Sequence, residues 1–124
     1  MLPITVTNKM EAAVCPIRNI LSRVTGKWQI LILLCLEDGA LRFGEIKRTV
    51  GDVTQRVLTE NLRSLERDGY LTRTVHEGPP LAVSYSLTER GRSLVELIRP
   101  LVHWAVDRLE DIKKSRSDFD MRAR

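Results

Sequence analysis

Between Thr54 and Asp68 the chain reads TQRVLTENLRSLERD, and its residue types separate onto two faces. At 100° per residue, Leu58, Leu62 and Leu65 lie within about 60° of one another. Arg56, Glu60, Arg63 and Arg67 lie opposite, at spacings of four, three and four. One face is built to bury leucine, and the other presents three arginines and one glutamate. That second face suits nucleic acid, because the planar guanidinium donates two parallel hydrogen bonds to a phosphate or a guanine edge. Thr54, Gln55 and Thr59 stand near the helix start, the end that meets base edges, and glutamine pairs with adenine. Glu60 can accept from cytosine N4, or repel phosphate and so sharpen specificity. A plainer reading stands beside this one. Arg56–Glu60 and Glu60–Arg63 are also ordinary surface ion pairs, each worth a few tenths of a kcal/mol. The three arginines are balanced by Glu60, Glu66 and Asp68, and a neutral helix also fits a protein-binding surface.

Cys15 is a second place where chemistry is possible. It precedes Pro16 at a helix start, where the helix dipole and free N–H groups stabilise a thiolate, and Arg18 adds positive charge. A thiolate there would react with oxidants and pair with a cysteine of a partner chain. The alternative is an inert small residue. Cys35 lies in a wholly apolar run and reads as a core thiol with a raised pKa. His76 and His103 have no cysteine or carboxylate at ligand spacing, so no metal site is expected. The glycines are scattered at turns, which gives no phosphate loop. Glu110-Asp111 reads as a solvated helix face, and no base is positioned beside Cys15, so neither an enzyme nor a cofactor is expected. Trp28 and Trp104 read as packing anchors.

Composition bounds these possibilities. A chain of 124 residues is one ordinary domain, able to bury roughly two thirds of its unfolded surface. With 43% hydrophobic and 29% charged residues it falls in the globular range and outside the disordered one. The longest apolar run, Ile30 to Leu36, is too short for a membrane span, and no signal peptide pattern opens the chain. Two cysteines are too few for a disulfide scaffold, so a cytoplasmic, reducing compartment is expected. The formal charge of +4 favours anionic partners such as nucleic acid.

The elements that must position these residues follow from periodicity and punctuation. Pro16 opens a helix carrying Ile17, Ile20, Leu21 and Val24, and Gly26 breaks it. Lys27 to Leu36 is apolar nearly all round, the mark of a central buried helix. A short helix from Phe43 to Val50 follows the turn Glu37-Asp38-Gly39. Gly51-Asp52-Val53 turns into the helix that Thr54 caps and Gly69 ends. The period then changes from helix to strand. Leu71 to His76 and Val83 to Leu87 alternate around Glu77-Gly78-Pro79-Pro80, which predicts a two-stranded hairpin with a stiff tip. Thr88 caps a long last helix with Leu94, Leu97, Ile98, Leu101, Ala105, Leu109 and Ile112 at spacings of three and four, and Pro100 should kink it. Its apolar stripe is longer than so small a domain can cover, which marks an interface. Ser115 to Arg124 is polar and is expected to fray.

Short helix, tight turn, polar-faced helix and hairpin, in that order, are the winged helix-turn-helix plan. The expected fold is mostly α with a small β-hairpin and flanking dimerisation helices. Residues 15–88 form the DNA-binding core, 89–116 a C-terminal dimerisation helix, and 1–14 and 117–124 an arm and a tail. The first helix joins the interface, whose expected residues are Ile17, Leu21, Leu97, Leu101, Trp104, Ala105 and Leu109. Arg42, Lys47, Arg48, Arg63 and Arg67 are expected on phosphates, and Thr54, Gln55, Arg56, Thr59 and Glu60 at base edges. Arg73 and His76 are the basic groups of the hairpin.

An ordered set of short motifs carries a family resemblance. Cys15-Pro16, Gly26-Lys27-Trp28, Arg42-Phe43-Gly44-Glu45-Ile46, Leu58-Thr59, Leu62-Arg63, Leu65-Glu66 and Asp68-Gly69 come first. Pro79-Pro80, Tyr85-Ser86-Leu87-Thr88, Gly91 and Trp104 complete it. Together they resemble the HxlR-type winged-helix transcriptional regulators of bacteria, within the MarR-like superfamily. The resemblance implies a homodimer on an operator of two half-sites, a recognition helix at Thr54 to Asp68 and a wing at about Leu71 to Leu87. It also implies that Cys15 senses oxidants or electrophiles, as an equivalent cysteine does in several members, with a small-molecule effector as the other route. One departure stands out: family wings commonly carry an arginine after the paired prolines, and here Leu81 occupies that place. A protein-interaction module on the same fold, without specific DNA binding, is the competing expectation.

Overall fold

The apolar run from Ile30 to Leu36 lies at the centre of the fold in a computed structural model that describes residues 16–123. Ile32 and Leu33 are fully buried, and Leu36 closes the run as a buried C-cap. They belong to α2 (Lys27–Cys35), which follows α1 (Pro16–Ser22). A two-residue strand, β1 (Leu41–Arg42), leads into α3 (Phe43–Val50) and then α4 (Gln55–Arg67). The hairpin strands are β2 (Leu71–His76) and β3 (Ala82–Leu87), and α5 (Glu89–Asp107) and α6 (Leu109–Arg122) follow. Helix α2 packs against α3, α4 and α5, so a helix apolar on most sides is matched by neighbours on most sides. Leu31 is the exception and faces outward.

Helix α4 is held by its leucines. Leu58, Leu62 and Leu65 are buried, each burial contributing about 1.5–3 kcal/mol before ordering costs. Both ends are finished locally. The Thr54 hydroxyl accepts from the Val57 N–H at 3.2 Å. At the other end Gly69 takes φ +84°, Tyr70 N–H donates to Leu65 O and Gly69 N–H to Glu66 O, the Schellman pattern.

The start of α5 is fastened to this same turn. Thr88 Oγ1 donates to Gly69 O at 2.6 Å, Thr88 N–H to Tyr70 O at 3.0 Å, and Arg90 Nη1 to Asp68 O at 2.7 Å. Gly91 lies so close to Tyr70 that an added Cβ would stand 2.3 Å from the Tyr70 carbonyl oxygen. These contacts fix the hairpin's root against the end of α4. At the far side, Arg99 of α5 forms an ion pair with Glu37 in the turn after α2.

Several expectations need correction. The hairpin is part of a three-stranded antiparallel sheet in the order β1-β3-β2. Leu41 and Arg42 pair with Tyr85 and Ser84, in a segment too short to show any period in sequence. The first helix stops at Ser22, and Gly26 is the N-cap of α2, not the breaker of α1. The last helix of 89–116 is two helices: α5 runs through Pro100 and ends at Asp107, where Arg108 leaves the helical region at φ −109°, ψ 7°. An exposed proline removes one backbone hydrogen bond, and Val95 and Ile98 hold that turn to the core, so continuity survives. Ser115 to Arg122 is helical within α6 instead of frayed. Trp28 does pack against the core, whereas Trp104 is 50% exposed under the Arg108 guanidinium, 4.7 Å from its ring centre, and anchors nothing in the protomer.

Candidate nucleic-acid interface

With its leucines turned inward, α4 presents Gln55, Arg56, Thr59, Glu60, Arg63 and Arg67 to solvent, together with its cap Thr54. Arg56, Glu60, Arg63 and Arg67, which periodicity set opposite the leucines, are all exposed, as are Thr54, Gln55 and Thr59 toward the helix start. Their local engagements differ. Arg56 Nε donates to Glu60 Oε1 at 3.2 Å, an exposed pair one helical turn apart that leaves the Nη atoms of Arg56 free of that contact. The Thr59 hydroxyl donates to Gln55 O at 2.8 Å, which leaves its methyl and lone pairs for a partner. Among the described residues Arg63 and Arg67 form no ion pair. Of the acids that neutralised this helix in the sequence count, Asp68 is drawn toward Arg23, 3.9 Å away at the helix end.

Helix α3 supplies a second basic edge. Its N-cap is Arg42, whose backbone N–H donates to Glu45 Oε1 at 2.9 Å, so Glu45 is used in capping the helix. Arg42 and Arg48 are exposed and line one shallow cleft with Gly44. Lys47 is half-buried in the last turn, and its carbonyl accepts from Gly51 N–H at 3.0 Å. Ile46 and Val53 fix the α3–turn–α4 angle from below, both buried. Val53 was not singled out in sequence, and its only signal was an apolar residue inside a polar turn.

The hairpin adds the remaining expected residues. Arg73 is exposed on β2 opposite Tyr85. His76, at the outer end of β2, shares a hydrogen bond of 2.8 Å between Nε2 and Ser84 Oγ. Arg90, which sequence reading passed over, ties the turn after α4 to α5. Its signal is its place two residues after a capping threonine.

Cys15 lies outside the described residues. Cys35 is half-buried, its thiol donates to Ile32 O at 3.1 Å, and burial pushes its pKa up from 9.0 to about 11. Of the residues expected at an interface, Leu21, Leu97, Leu101, Trp104, Ala105 and Leu109 are exposed and Ile17 is half-buried. They lie on α1, α5 and the start of α6, where only Val95 and Ile98 of the large apolar side chains are buried within the protomer. His103 is exposed on α5, and among the described residues no group of metal-ligating side chains forms. No helix is long and apolar enough to cross a membrane, among the residues described.

Comparison with known proteins agrees with this geometry. The model of the HxlR-like helix-turn-helix family matches residues 23–113. An HTH-type transcriptional regulator of Methanothermobacter thermautotrophicus is 41% identical over 90 residues, 73% of this chain and 69% of that one. The solved structure of the transcriptional regulator YtfH from Salmonella typhimurium superposes with a TM-score of 0.80 at 34% identity, covering 90% of this chain and 99% of that one. The redox regulator HypR in its oxidized form superposes at a TM-score of 0.70 and 39% identity, over 75% of this chain and 96% of that one. The winged three-element face, the matched family model and these relatives agree: the chain belongs to the HxlR-like helix-turn-helix family of transcriptional regulators.

Proposed function

We propose that the protein is a cytoplasmic regulator that acts by binding, not by catalysis, and that it binds duplex DNA sequence-specifically as a homodimer. The observation that carries this reading is the exposed face of α4, where cap, glutamine and three arginines stand together on a helix anchored by three buried leucines. Thr54, Gln55, Arg56, Thr59 and Glu60 read base edges in the major groove. Arg42, Lys47, Arg48, Arg63, Arg67 and Arg73 meet phosphates, and His76 stands toward the end of the wing. The exposed residues Leu21, Leu97, Leu101, Trp104, Ala105 and Leu109, with Ile17, form the dimer contact. A two-fold dimer would set the two recognition helices about 34 Å apart, one turn of DNA. Likeness to a redox regulator supports Cys15 as an oxidant sensor, with a small-molecule effector as the other route.

Gel-shift titration on DNA upstream of the protein's own gene and its divergent neighbour tests this, with reduced and diamide-treated protein and a Cys15→Ser variant. Saturable, salt-sensitive binding to one fragment is expected, lost on oxidation in the wild type and retained in Cys15→Ser. Binding indifferent to diamide would remove the sensor role and leave the regulator. Absence of any DNA affinity at low salt would overturn the reading in favour of a protein-interaction module.

A further inference from the structure

One carboxylate stands among the arginines of α4. At 100° per residue Arg56, Glu60, Arg63 and Arg67 fall within about 60° of one another, and Glu60 is the one acid in that stripe. On a face turned to DNA it works against affinity, because a carboxylate repels the phosphates that its neighbours attract. The fold does not need it either. In the Arg56–Glu60 pair 88% of one side chain and 63% of the other are open to solvent, and a pair so exposed adds little stability.

The acid is nonetheless selective. Arg56, four residues before it, and Arg63, three residues after it, are both within its reach. It engages Arg56, whose Nε donates to Glu60 Oε1 at 3.2 Å, while Arg63 and Arg67 form no ion pair among the described residues. That bond occupies Nε and leaves the Nη1–Nη2 edge of the guanidinium open. Two donors on one planar edge match the O6 and N7 acceptors of guanine. Position along the helix separates the arginines too. Arg56 is the second residue of α4, in the turn that meets base edges, and Arg63 lies about 10 Å further along the axis. A guanidinium already held in place also loses less side-chain freedom when it binds.

We propose that Glu60 is a positioning residue, which holds the Arg56 guanidinium for two-bond recognition of one guanine in each operator half-site. This rests on the DNA-binding reading of α4 and narrows it: Glu60 contributes to base reading through Arg56.

The test compares wild type, Arg56→Met, Glu60→Gln and the double variant on a duplex of about 30 base pairs, recovered by selection from a random pool on the wild-type protein, and on its single-base changes. Both positions are exposed, and an unchanged melting temperature checks that each variant folds. The wild type is expected to prefer guanine at one position of each half-site by about five- to 150-fold. Arg56→Met should abolish that preference and leave the other positions as they were. Glu60→Gln should lower it by about threefold or more at the same position, while binding mismatched duplexes at least as tightly as the wild type does. Added to Arg56→Met, Glu60→Gln should change no preference. A smaller loss in either single variant, a loss at a different base, or a further change in the double variant would overturn the proposal. A wild type that binds duplex DNA without selecting guanine would overturn this proposal alone. No binding at low salt would overturn the DNA-binding reading, and this one with it.

Discussion

Arg63 and Arg67 differ from Arg56 although all three share one helix face. Arg56 is engaged by Glu60 at 3.2 Å, a geometry that restrains its guanidinium, whereas the other two are unpaired among the described residues. Phosphate contacts by such arginines carry no sequence information but add to the salt dependence of binding. Arg63→Ala is therefore expected to weaken binding to matched and mismatched duplexes alike and to reduce the salt slope by about 0.9, read in a salt titration. Cys35 gives a second test. Its pKa of about 11 leaves about a hundredfold less thiolate near neutrality than a free thiol carries. In a Cys15→Ser background, iodoacetamide at pH 7.5 should label the folded protein far more slowly than the unfolded chain. The raised pKa also fixes a sign. The neutral thiol is the form the fold favours, so its contribution is complete below pH 9.0 and is lost as pH rises from there toward 11. Wild type should lose stability faster than Cys35→Ala across that window in denaturant titrations.

Among the elements, the junction of α4, β2 and α5 holds the recognition helix and the wing in one geometry. Gly91 makes it possible, because α5 crosses the Tyr70 carbonyl with no room for a Cβ. Gly91→Ala should destabilise the protein by about 1–3 kcal/mol, the usual range for forced overpacking, despite alanine being the better helix former. A lowered denaturation midpoint would show it. The same substitution should reduce DNA affinity more than stability alone explains, because the wing root must move. Thr88 and Gly69 were legible as caps in the sequence, but their direct hydrogen bond was not. They are nineteen residues apart, and local punctuation does not encode which carbonyl a capping hydroxyl meets.

For the molecule as a whole, burial ends early. The core runs from Val24 to Ile98, and α6 has no buried residue among those described. Leu97, Leu101, Trp104, Val106 and Leu109 are left outside it, each about half exposed or more. Side chains of that size remain in water only at a free-energy cost that a second copy would relieve. Leu101→Asp should shift the protein from dimer to monomer in light scattering, and lower affinity for a two-half-site duplex far more than for a single half-site.

Much of this was readable along the chain. The buried stripe of Leu58, Leu62 and Leu65, the arginine face against it and the caps at Thr54 and Thr88 all follow from a 3.6-residue period and from side chains that satisfy their own backbone. The change to alternation after Gly69 placed β2 and β3 for the same local reason. The folded chain settled what depends on distant partners. β1 exists because Tyr85 and Ser84 offer Leu41 and Arg42 a ladder edge, and two residues carry no period of their own. α5 continues through Pro100, with Val95 and Ile98 buried in the turn before it. Of the one apolar stripe read from Leu94 to Ile112, Ile98 is buried, Leu94 and Ile112 are half-buried, and Leu97, Leu101, Ala105 and Leu109 are exposed, since periodicity reports which residues are apolar and only the packed neighbours determine which of them find cover.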